Sequence, residues 1–411
     1  MHIELHTGLQ DSLLARDAAD ALEACVHCGF CLATCPTYLD TRDERDSPRG
    51  RLYLIRELLE DNRAERVAQH HLDRCLTCRS CETTCPSGVR YAEIAEAGRE
   101  LLELRVSRGL QERLMRRLLR LIVPRRRLFA PLLRVGQWLR PALPSRLAAS
   151  VPPRQALPPA LQLRRSEGDI DRRVLLLEGC VQSTATPATN RALRRVLARL
   201  GYRVVDTPRQ GCCGALNTHL AAGEAGRRDM RRNIDAWWAA LDGGAEAILA
   251  SASGCGAQLR DYGRALAADP AYAERAAAVA SMTLDPIEFL ATRGVSSLPT
   301  STAHRPRLAV HAPCTQQHAL GVAGAVPELF AALGFELCSV ADNHLCCGSA
   351  GTYSMLQPAM SQRLRERKVE ALTRASPELI VTANVGCQLH LQGASEIPVR
   401  HWLEVLDSVL V

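Results

Sequence analysis

The sequence predicts a chain of mixed α+β and α/β class, in which a helical amino-terminal domain precedes two duplicated α/β halves. Three observations support this prediction. Two cysteine runs of one pattern lie before residue 105, short β-branched runs alternate with helical patterns after residue 171, and Cys-Cys-Gly occurs once in each part of that region. Alternation of strands with helices is typical of α/β units. The predicted domains are 1–105, 106–170 (a connector), 171–300 and 301–411.

The first domain carries two copies of the run C-x-x-C-x-x-C-x-x-x-C-P. This spacing is typical of bacterial ferredoxins with two [4Fe-4S] clusters, where the last cysteine of each run binds the other cluster. The expected ligands of the first cluster are Cys25, Cys28, Cys31 and Cys85. Those of the second cluster are Cys75, Cys78, Cys81 and Cys35. Two neighbouring clusters would conduct electrons.

Two other uses of these cysteines fit less well. A disulfide framework is disfavoured because 411 residues can bury a large core without crosslinks, and the first residues resemble no secretory leader. Structural zinc is the stronger alternative, since C-x-x-C pairs bind zinc, but one zinc site uses four ligands and these runs offer eight. A zinc-stabilised interaction scaffold is therefore the non-redox alternative. The 17 cysteines indicate a reducing, cytoplasmic compartment.

A helix is expected after Ser47-Pro48, because Leu52, Ile55, Leu58 and Leu59 follow at helical spacing. This helix separates the two cysteine runs and would bring them back against each other.

The connector is strongly basic. The net charge of the chain is +7, and the stretch from Arg105 to Arg154 holds 13 arginines against one acid, Glu112, or about +12 by itself. The rest of the chain is then about −5, which argues against a general nucleic-acid-binding surface. The interleaved leucines and arginines of the connector favour a segment lying on an anionic membrane surface, with subunit docking and a solvated linker as alternatives.

The eight prolines of the connector predict that it contains no long helix. No apolar run is long enough to span a bilayer.

Each α/β half carries four cysteines close to predicted strands. Strands are expected at Tyr202–Val205 and Ala247–Ala250, and at the start of the runs Val174–Cys180, Leu308–Cys314 and Leu379–Cys387, each of which ends at a cysteine. The cysteines are Cys180, Cys212, Cys213 and Cys255 in the first half, and Cys314, Cys346, Cys347 and Cys387 in the second. Nearly equal spacings in the two halves indicate an internal repeat. We interpret these eight cysteines as possible ligands of a further cluster. The alternatives are that they are buried small residues or that they belong to a docking surface without a cluster.

The two Cys-Cys-Gly sequences predict a tight, exposed loop, with Gly214 and Gly348 allowing the backbone to approach a cluster. Cys338 is expected to be a core strand residue. His311, His318 and His344 lie near the second set of cysteines. We expect them to be ordinary polar loop residues, and a hydrogen bond to cluster sulfur is the alternative.

The duplicated Cys-Cys-Gly (CCG) halves resemble the cysteine-rich domain of heterodisulfide reductase subunits and of iron-sulfur subunits of membrane-associated dehydrogenases. More specifically, the chain is similar to the family of glycolate oxidase iron-sulfur subunits. The segments that carry this resemblance are Ala24–Cys31, His71–Cys78, Cys85–Tyr91, His344–Tyr353 and Val399–Trp402.

The resemblance implies a division of labour. FAD-containing partner subunits oxidise glycolate to glyoxylate, and this subunit passes the electrons towards quinone or another respiratory acceptor. No G-x-G-x-x-G follows a predicted strand, so FAD is expected only on the partners. The resemblance also implies peripheral contact with the cytoplasmic face of the inner membrane. A subunit for lactate or glycerol 3-phosphate oxidation, and a catalytic subunit like heterodisulfide reductase, are the alternatives.

One departure from the heterodisulfide reductase pattern weakens the last alternative. Those subunits end each motif in C-x-x-C, whereas this chain has Gln258 and His390 at the two final positions. His390 is a weak candidate for an iron ligand and Gln258 a weaker one.

Overall fold

A computed structural model describes residues 2–144, 151–159, 172–302 and 304–411. The amino-terminal domain is formed by helices. Helix α3 starts at Pro48, where the Ser47 hydroxyl accepts a hydrogen bond from the Gly50 amide at 2.9 Å. The predicted face of this helix is buried, as expected. The helices of this domain are α1 (Leu13–Glu23), α2 (Pro36–Thr41), α3 (Pro48–Glu60), α4 (Arg66–Asp73), α5 (Ser80–Thr84) and α6 (Tyr91–Arg105).

The connector contains two long helices, so the prediction that prolines exclude them was wrong. They are α7 (Leu110–Ile122) and α8 (Arg126–Leu139). Pro124 lies in the short break between them, where it interrupts no helical hydrogen bond. Pro131 lies inside α8 and removes one backbone donor, which an exposed helix of 14 residues tolerates. Residues 145–150 and 160–170 of the predicted connector lie outside the described residues.

Helix α7 is fixed to the amino-terminal domain by its charged side. Arg108, just before the helix, and Arg116 within it are buried and pair with Asp73, with Nη to Oδ distances of 2.5 and 3.0 Å. The leucines on its other side therefore face solvent, including Leu110 and Leu114, which are 78% and 56% exposed. Helix α8 likewise exposes Leu132 and Trp138, and together these side chains form what we call the connector apolar face.

The rest of the chain forms two parallel four-stranded sheets with the same strand order, which confirms the predicted duplication. The first sheet has the order β2-β1-β3-β4 and the second β6-β5-β7-β8. The strands are β1 (Arg173–Leu177), β2 (Arg203–Val205), β3 (Ile248–Ala250), β4 (Thr283–Leu284), β5 (Leu308–His311), β6 (Leu337–Cys338), β7 (Leu379–Thr382) and β8 (Val399–His401).

Helices cover both sheets. In the first half they are α9 (Gln182–Ala185), α10 (Pro187–Arg199), α11 (Ala215–His219), α12 (Gly223–Asp242), α13 (Ser253–Arg260), α14 (Tyr262–Ala265), α15 (Ala273–Ser281) and α16 (Pro286–Thr292). In the second half they are α17 (Ala325–Ala332), α18 (Tyr353–Leu356), α19 (Pro358–Thr373), α20 (Val385–Gln392) and α21 (Trp402–Val409).

The two halves share one hydrophobic core. A continuous cluster of buried side chains runs from Leu193 of α10 through Phe289 and Phe330 to Trp402 of α21. Arg195 and Arg199 of α10 also pair with Asp407 of α21, at 2.8 and 2.6 Å. The halves therefore stabilise each other as one unit.

Among the described residues, no helix combines the length and the apolar character needed to cross a bilayer.

We expect Phe330→Ala to reduce the free energy of unfolding of the two-sheet unit by about 3–5 kcal/mol, because Phe330 is fully buried in the shared core. Thermal and urea unfolding would measure this loss. Met355→Ala is the control, since Met355 is 57% exposed. Equal effects of the two substitutions would contradict the shared core.

Candidate metal centres

The amino-terminal domain places Cys25, Cys28, Cys31 and Cys85 around a single pocket. Three of these cysteines come from the loop after α1 and the fourth follows α5, so the first expected ligand set comes together in space. Cys28 is exposed and the other three are half-buried. Burial raises the pKa of the Cys31 thiol to about 11. A metal must therefore displace a proton to bind this sulfur.

The second expected set also comes together. Burial, followed by the negative charges of Cys78, Cys75 and Cys35, raises the pKa of the Cys81 thiol well above its usual value. Cys35 precedes α2, far from the other three in sequence, and its charge also acts on Cys78. Cys81 also lines the pocket of the first set, and the charge of Cys35 also acts on Cys31, so the two runs lie against each other.

Positive charge surrounds this second set. Burial would raise the pKa of the Cys75 thiol, but the guanidinium groups of Arg51 and Arg99 outweigh burial and lower it. Arg51 is almost fully buried and donates to the His71 carbonyl at 2.7 Å. The Thr77 amide and the Tyr91 hydroxyl donate to the Cys75 sulfur at 3.4 and 3.7 Å. These contacts stabilise a thiolate, which is the form that binds iron.

The four cysteines of the first half form a row of neighbouring sulfur atoms. The Cys180 thiol donates a hydrogen bond to the Cys212 sulfur at 3.6 Å. The side chain of Cys213 is hydrogen-bonded to those of both Cys212 and Cys255. The thiols of Cys180 and Cys213 together hold the pKa of Cys212 well below its usual value. This group can bind a metal through four sulfurs.

The second half has a corresponding row. The Cys314 thiol donates to the Cys346 sulfur at 3.8 Å, Cys346 contacts Cys347, and Cys347 contacts Cys387. Lys368, the single lysine of the chain, is buried close enough to Cys347, Cys346 and Cys314 for their charges to act on it. Burial lowers the pKa of this lysine, and the nearby charges of Cys347, Cys346 and Cys314 partly oppose that effect. The Lys368 ammonium donates to the Asp342 carbonyl at 2.8 Å.

The Cys-Cys-Gly loops are buried, so the expectation of exposed loops was wrong. Both cysteines of each pair are at most 4% exposed. Gly348 has φ +84°, and a Cβ there would lie 2.7 Å from the Ser361 carbonyl oxygen of α19. Helix packing behind the loop therefore requires glycine at this position.

His311 was expected to be a polar loop residue. It instead ends strand β5 and is 1% exposed. Burial lowers the pKa of this imidazole well below its usual value. Its ring and the sulfurs of Cys347 and Cys387 offer ligand atoms that all lie within 4.8 Å of one another. Its place as the last residue of a central strand, three residues before Cys314, was the available signal.

The other histidines considered lie differently. His318 contacts the Thr83 hydroxyl at 2.9 Å, and His344 is exposed. The ring of His390, the weak candidate at the end of the second motif, contacts the Ser361 hydroxyl at 3.2 Å through Nε2. Cys338 lies in strand β6, as expected, and is half-buried.

The amino-terminal domain contacts the second half at its cysteines. Burial is the larger cause of the raised pKa of Cys78, and the charge of Cys314 raises it further. The charge of Cys78 likewise raises the pKa of Cys346. Leu76 packs with Cys346 and Tyr353 in one small buried cluster. The Tyr353 hydroxyl donates to the Arg74 carbonyl at 3.1 Å. The second cysteine set of the domain and the cysteine row of the second half are therefore neighbours.

The contacts between the amino-terminal domain and the first half include ion pairs. Arg79 pairs with Asp261, and Arg264 lies 3.5 Å from Glu93 and 3.3 Å from Glu96. The first half is thus held to the same domain through its charged surface.

The donor sets fit iron-sulfur clusters. Each of the four groups offers four thiols, which is the ligand type and number that a cubane [4Fe-4S] cluster uses. Bound clusters would supply one-electron transfer.

Comparison with known protein families agrees with this chemistry. Residues 21–89 match the family model of the 4Fe-4S dicluster domain. Residues 174–260 and 308–392 each match the model of the cysteine-rich domain. Both family models imply iron-sulfur clusters.

Two of the similar proteins match this chain over more than 90% of its length. The chain is 48% identical over 411 residues to the glycolate oxidase iron-sulfur subunit of Escherichia coli, covering 100% of this chain and 99% of that protein. It is 29% identical over 408 residues to the probable glycolate oxidase iron-sulfur subunit of Bacillus subtilis, covering 93% and 91%. Lactate utilization protein A of an Exiguobacterium species is 29% identical over 243 residues, which is 57% of this chain and 97% of that protein.

We expect Gly348→Ala to destabilise the second half more than Gly334→Ala does. Both glycines have a positive φ, so each substitution costs about 1–2 kcal/mol for the left-handed backbone. Only Gly348 has close neighbours, and the clash adds about 1–3 kcal/mol. Thermal unfolding would compare the two variants. Equal losses would show that helix packing does not constrain the loop.

Proposed function

Because the chain belongs to the family of glycolate oxidase iron-sulfur subunits, we propose that it is the electron-transfer subunit of a glycolate-oxidising complex. In this proposal an FAD-containing partner oxidises glycolate to glyoxylate and passes two electrons, one at a time, to this chain. The observation that carries the proposal is that Cys78 of the amino-terminal domain packs with Cys314 and Cys346 of the second half around one small buried cluster.

The proposed ligands follow the cysteine groups. Cys25, Cys28, Cys31 and Cys85 would hold one [4Fe-4S] cluster, and Cys35, Cys75, Cys78 and Cys81 the other. The cysteine rows of the two halves are proposed as additional cluster ligands. The buried charges of Arg51 and Arg99 beside Cys75 would stabilise its thiolate in the second cluster.

The geometry supports a direction for electron flow. The first set lies near the surface, where Cys28 is exposed and the flanking Val26 and Phe30 are 67% and 63% exposed. An apolar surface around an exposed ligand suits the docking of the flavin partner. Electrons would then move inward to the second set and on to the row in the second half.

Glycolate is the proposed substrate of the complex. The relative named for glycolate oxidase matches the full chain, whereas the relative named for lactate utilization matches 57% of it. Quinone is the proposed final acceptor, reduced to quinol by two electrons and two protons.

A membrane contact near that acceptor is proposed for the connector apolar face. Leu110, Leu114, Leu132 and Trp138 are all more than half exposed, and arginines of α7 and α8 lie between them in sequence. Such a surface can insert apolar side chains at the lipid boundary while the arginines contact anionic headgroups.

We expect Cys35→Ser and Cys85→Ser to remove electron transfer to the acceptor while the partner flavin is still reduced by glycolate. Each substitution removes one proposed ligand from a cluster whose other three ligands come from the opposite run. Iron and sulfide content, flavin bleaching and quinone reduction would be measured on the assembled complex. Cys338→Ser is the control, because Cys338 lies outside all four groups. Full quinone reduction in both ligand variants would overturn the proposal.

We expect the chain to bind vesicles that contain anionic lipid, and Trp138→Glu to weaken that binding at least several-fold. Trp138 is 79% exposed on the connector apolar face, and a carboxylate there would be repelled by the headgroups. Co-sedimentation at low and high salt would measure binding. Met355→Glu is the control for an exposed apolar residue elsewhere. Equal binding of both variants would exclude this face as the membrane contact.

A further inference from the structure

The duplicated halves differ at two buried positions beside their cysteines. Cys314, Cys346 and Cys347 each follow their first-half counterparts Cys180, Cys212 and Cys213 by 134 residues (314 − 180, 346 − 212, 347 − 213). The same offset pairs Leu177 with His311. The fourth cysteines, Cys255 and Cys387, are 132 residues apart, but Met230 beside Gly214 and Leu364 beside Gly348 still differ by 134, so Ile234 of the same helix is paired with Lys368. Leu177 and His311 are both the last residue of a central strand. The first half has apolar side chains at both positions, whereas the second half has nitrogen-bearing ones.

His311 holds one ring nitrogen fixed and leaves the other without a partner. Nδ1 lies 2.9 Å from the Thr382 hydroxyl of the neighbouring strand β7. Nε2 is buried and makes no hydrogen bond to any part of the chain that the structure describes. Buried polar atoms nearly always have a partner, so an unpaired one calls for an explanation.

A metal held by the neighbouring cysteines would provide the partner of Nε2. Nitrogen of His311 and the sulfurs of Cys347 and Cys387 lie within 4.8 Å of one another, at one end of the sulfur row. A histidine that binds metal through one ring nitrogen usually has the other nitrogen held by a hydrogen bond. The contact between Nδ1 and Thr382 meets this condition.

Charge favours a nitrogen ligand at this place. Four thiolates in a buried site carry four negative charges, and burying charge is costly unless it is compensated. A neutral imidazole adds a ligand without adding charge, and the Lys368 ammonium, also buried, compensates part of the negative charge. The first half has neither group.

We propose that the second half holds an iron centre of mixed thiolate and imidazole coordination, with His311 Nε2 as its nitrogen ligand beside Cys347 and Cys387. This inference rests on the proposed role of the second cysteine row in binding a cluster. It adds a ligand that distinguishes the second half from the first.

A functional consequence follows from the ligand type. Iron centres with histidine in place of a thiolate ligand have higher reduction potentials, so an imidazole as the additional ligand gives a higher potential than a fifth thiolate would. Because this row lies next to the second amino-terminal set, a centre of higher potential there would draw electrons from it. The first half, with no imidazole at Leu177, would lack this property.

The first test uses the unsubstituted full chain, purified anaerobically with ¹⁵N-labelled histidine. Pulsed electron paramagnetic resonance in the reduced and oxidised forms would detect nitrogen bound directly to iron. We expect one strongly coupled histidine nitrogen in addition to the signals of the amino-terminal clusters. A complete absence of coupled histidine nitrogen, or zinc instead of iron in the second half, would overturn the inference.

Substitutions then assign the nitrogen. His311→Leu introduces the residue of the first half, and we expect it to abolish the nitrogen coupling and reduce the iron bound by the second half. His311→Cys keeps a ligand of another type and should lower the potential of this centre. His344→Leu is the control, because His344 is exposed and only two residues from Cys346. Persistent coupling in folded His311→Leu would overturn the assignment.

The outcomes separate this inference from the proposed function. If the nitrogen is absent but the amino-terminal clusters and glycolate-dependent quinone reduction are intact, only the role of His311 fails. If His311→Leu does not fold, as judged by circular dichroism and loss of the amino-terminal cluster signals, the labelled unsubstituted protein still decides the question.

Discussion

Thiol groups from distant parts of the chain must meet in small, mostly buried groups, and the rest of the fold serves this constraint. In the amino-terminal domain the two cysteine runs lie against each other, and Thr34 beside Cys35 contacts the Ser80 carbonyl and the Thr84 hydroxyl beside Cys85. Helices α1, α3 and α6 provide the apolar core that fixes the two runs. Because buried thiolates repel one another, the domain also buries Arg51 beside Cys75.

The two α/β halves meet the same constraint with different means. Their sheets have one topology and share one core, yet their surroundings differ at the sulfur rows. The first half is joined to the amino-terminal domain by ion pairs such as Arg264 with Glu96. The second half is also joined by an ion pair, Arg363 with Asp40, and in addition through Leu76 and Tyr353, which pack around Cys346. Duplication thus produced two similar scaffolds, of which one has its cysteines next to those of the amino-terminal domain.

Much of the fold followed from local patterns. The helix after Ser47, the strands and the repeat could be predicted because caps, apolar spacing and cysteine intervals are local properties. The connector was mispredicted because the effect of a proline depends on its position, and Pro124 falls between two helices. The loops at Gly214 and Gly348 were expected to be exposed, whereas helices from later in the chain cover them. Burial of this kind is not visible in a local sequence.

The sequence by itself determined which residue types could bind iron and how they are grouped along the chain, because ligand spacing within a loop is a local requirement. It also determined the family. Only the tertiary structure decided that Cys78 lies beside Cys314 and Cys346, and that His311 has a buried, unpartnered nitrogen near Cys347 and Cys387. These relations join residues far apart in sequence, and they depend on how whole sheets and helices pack against one another.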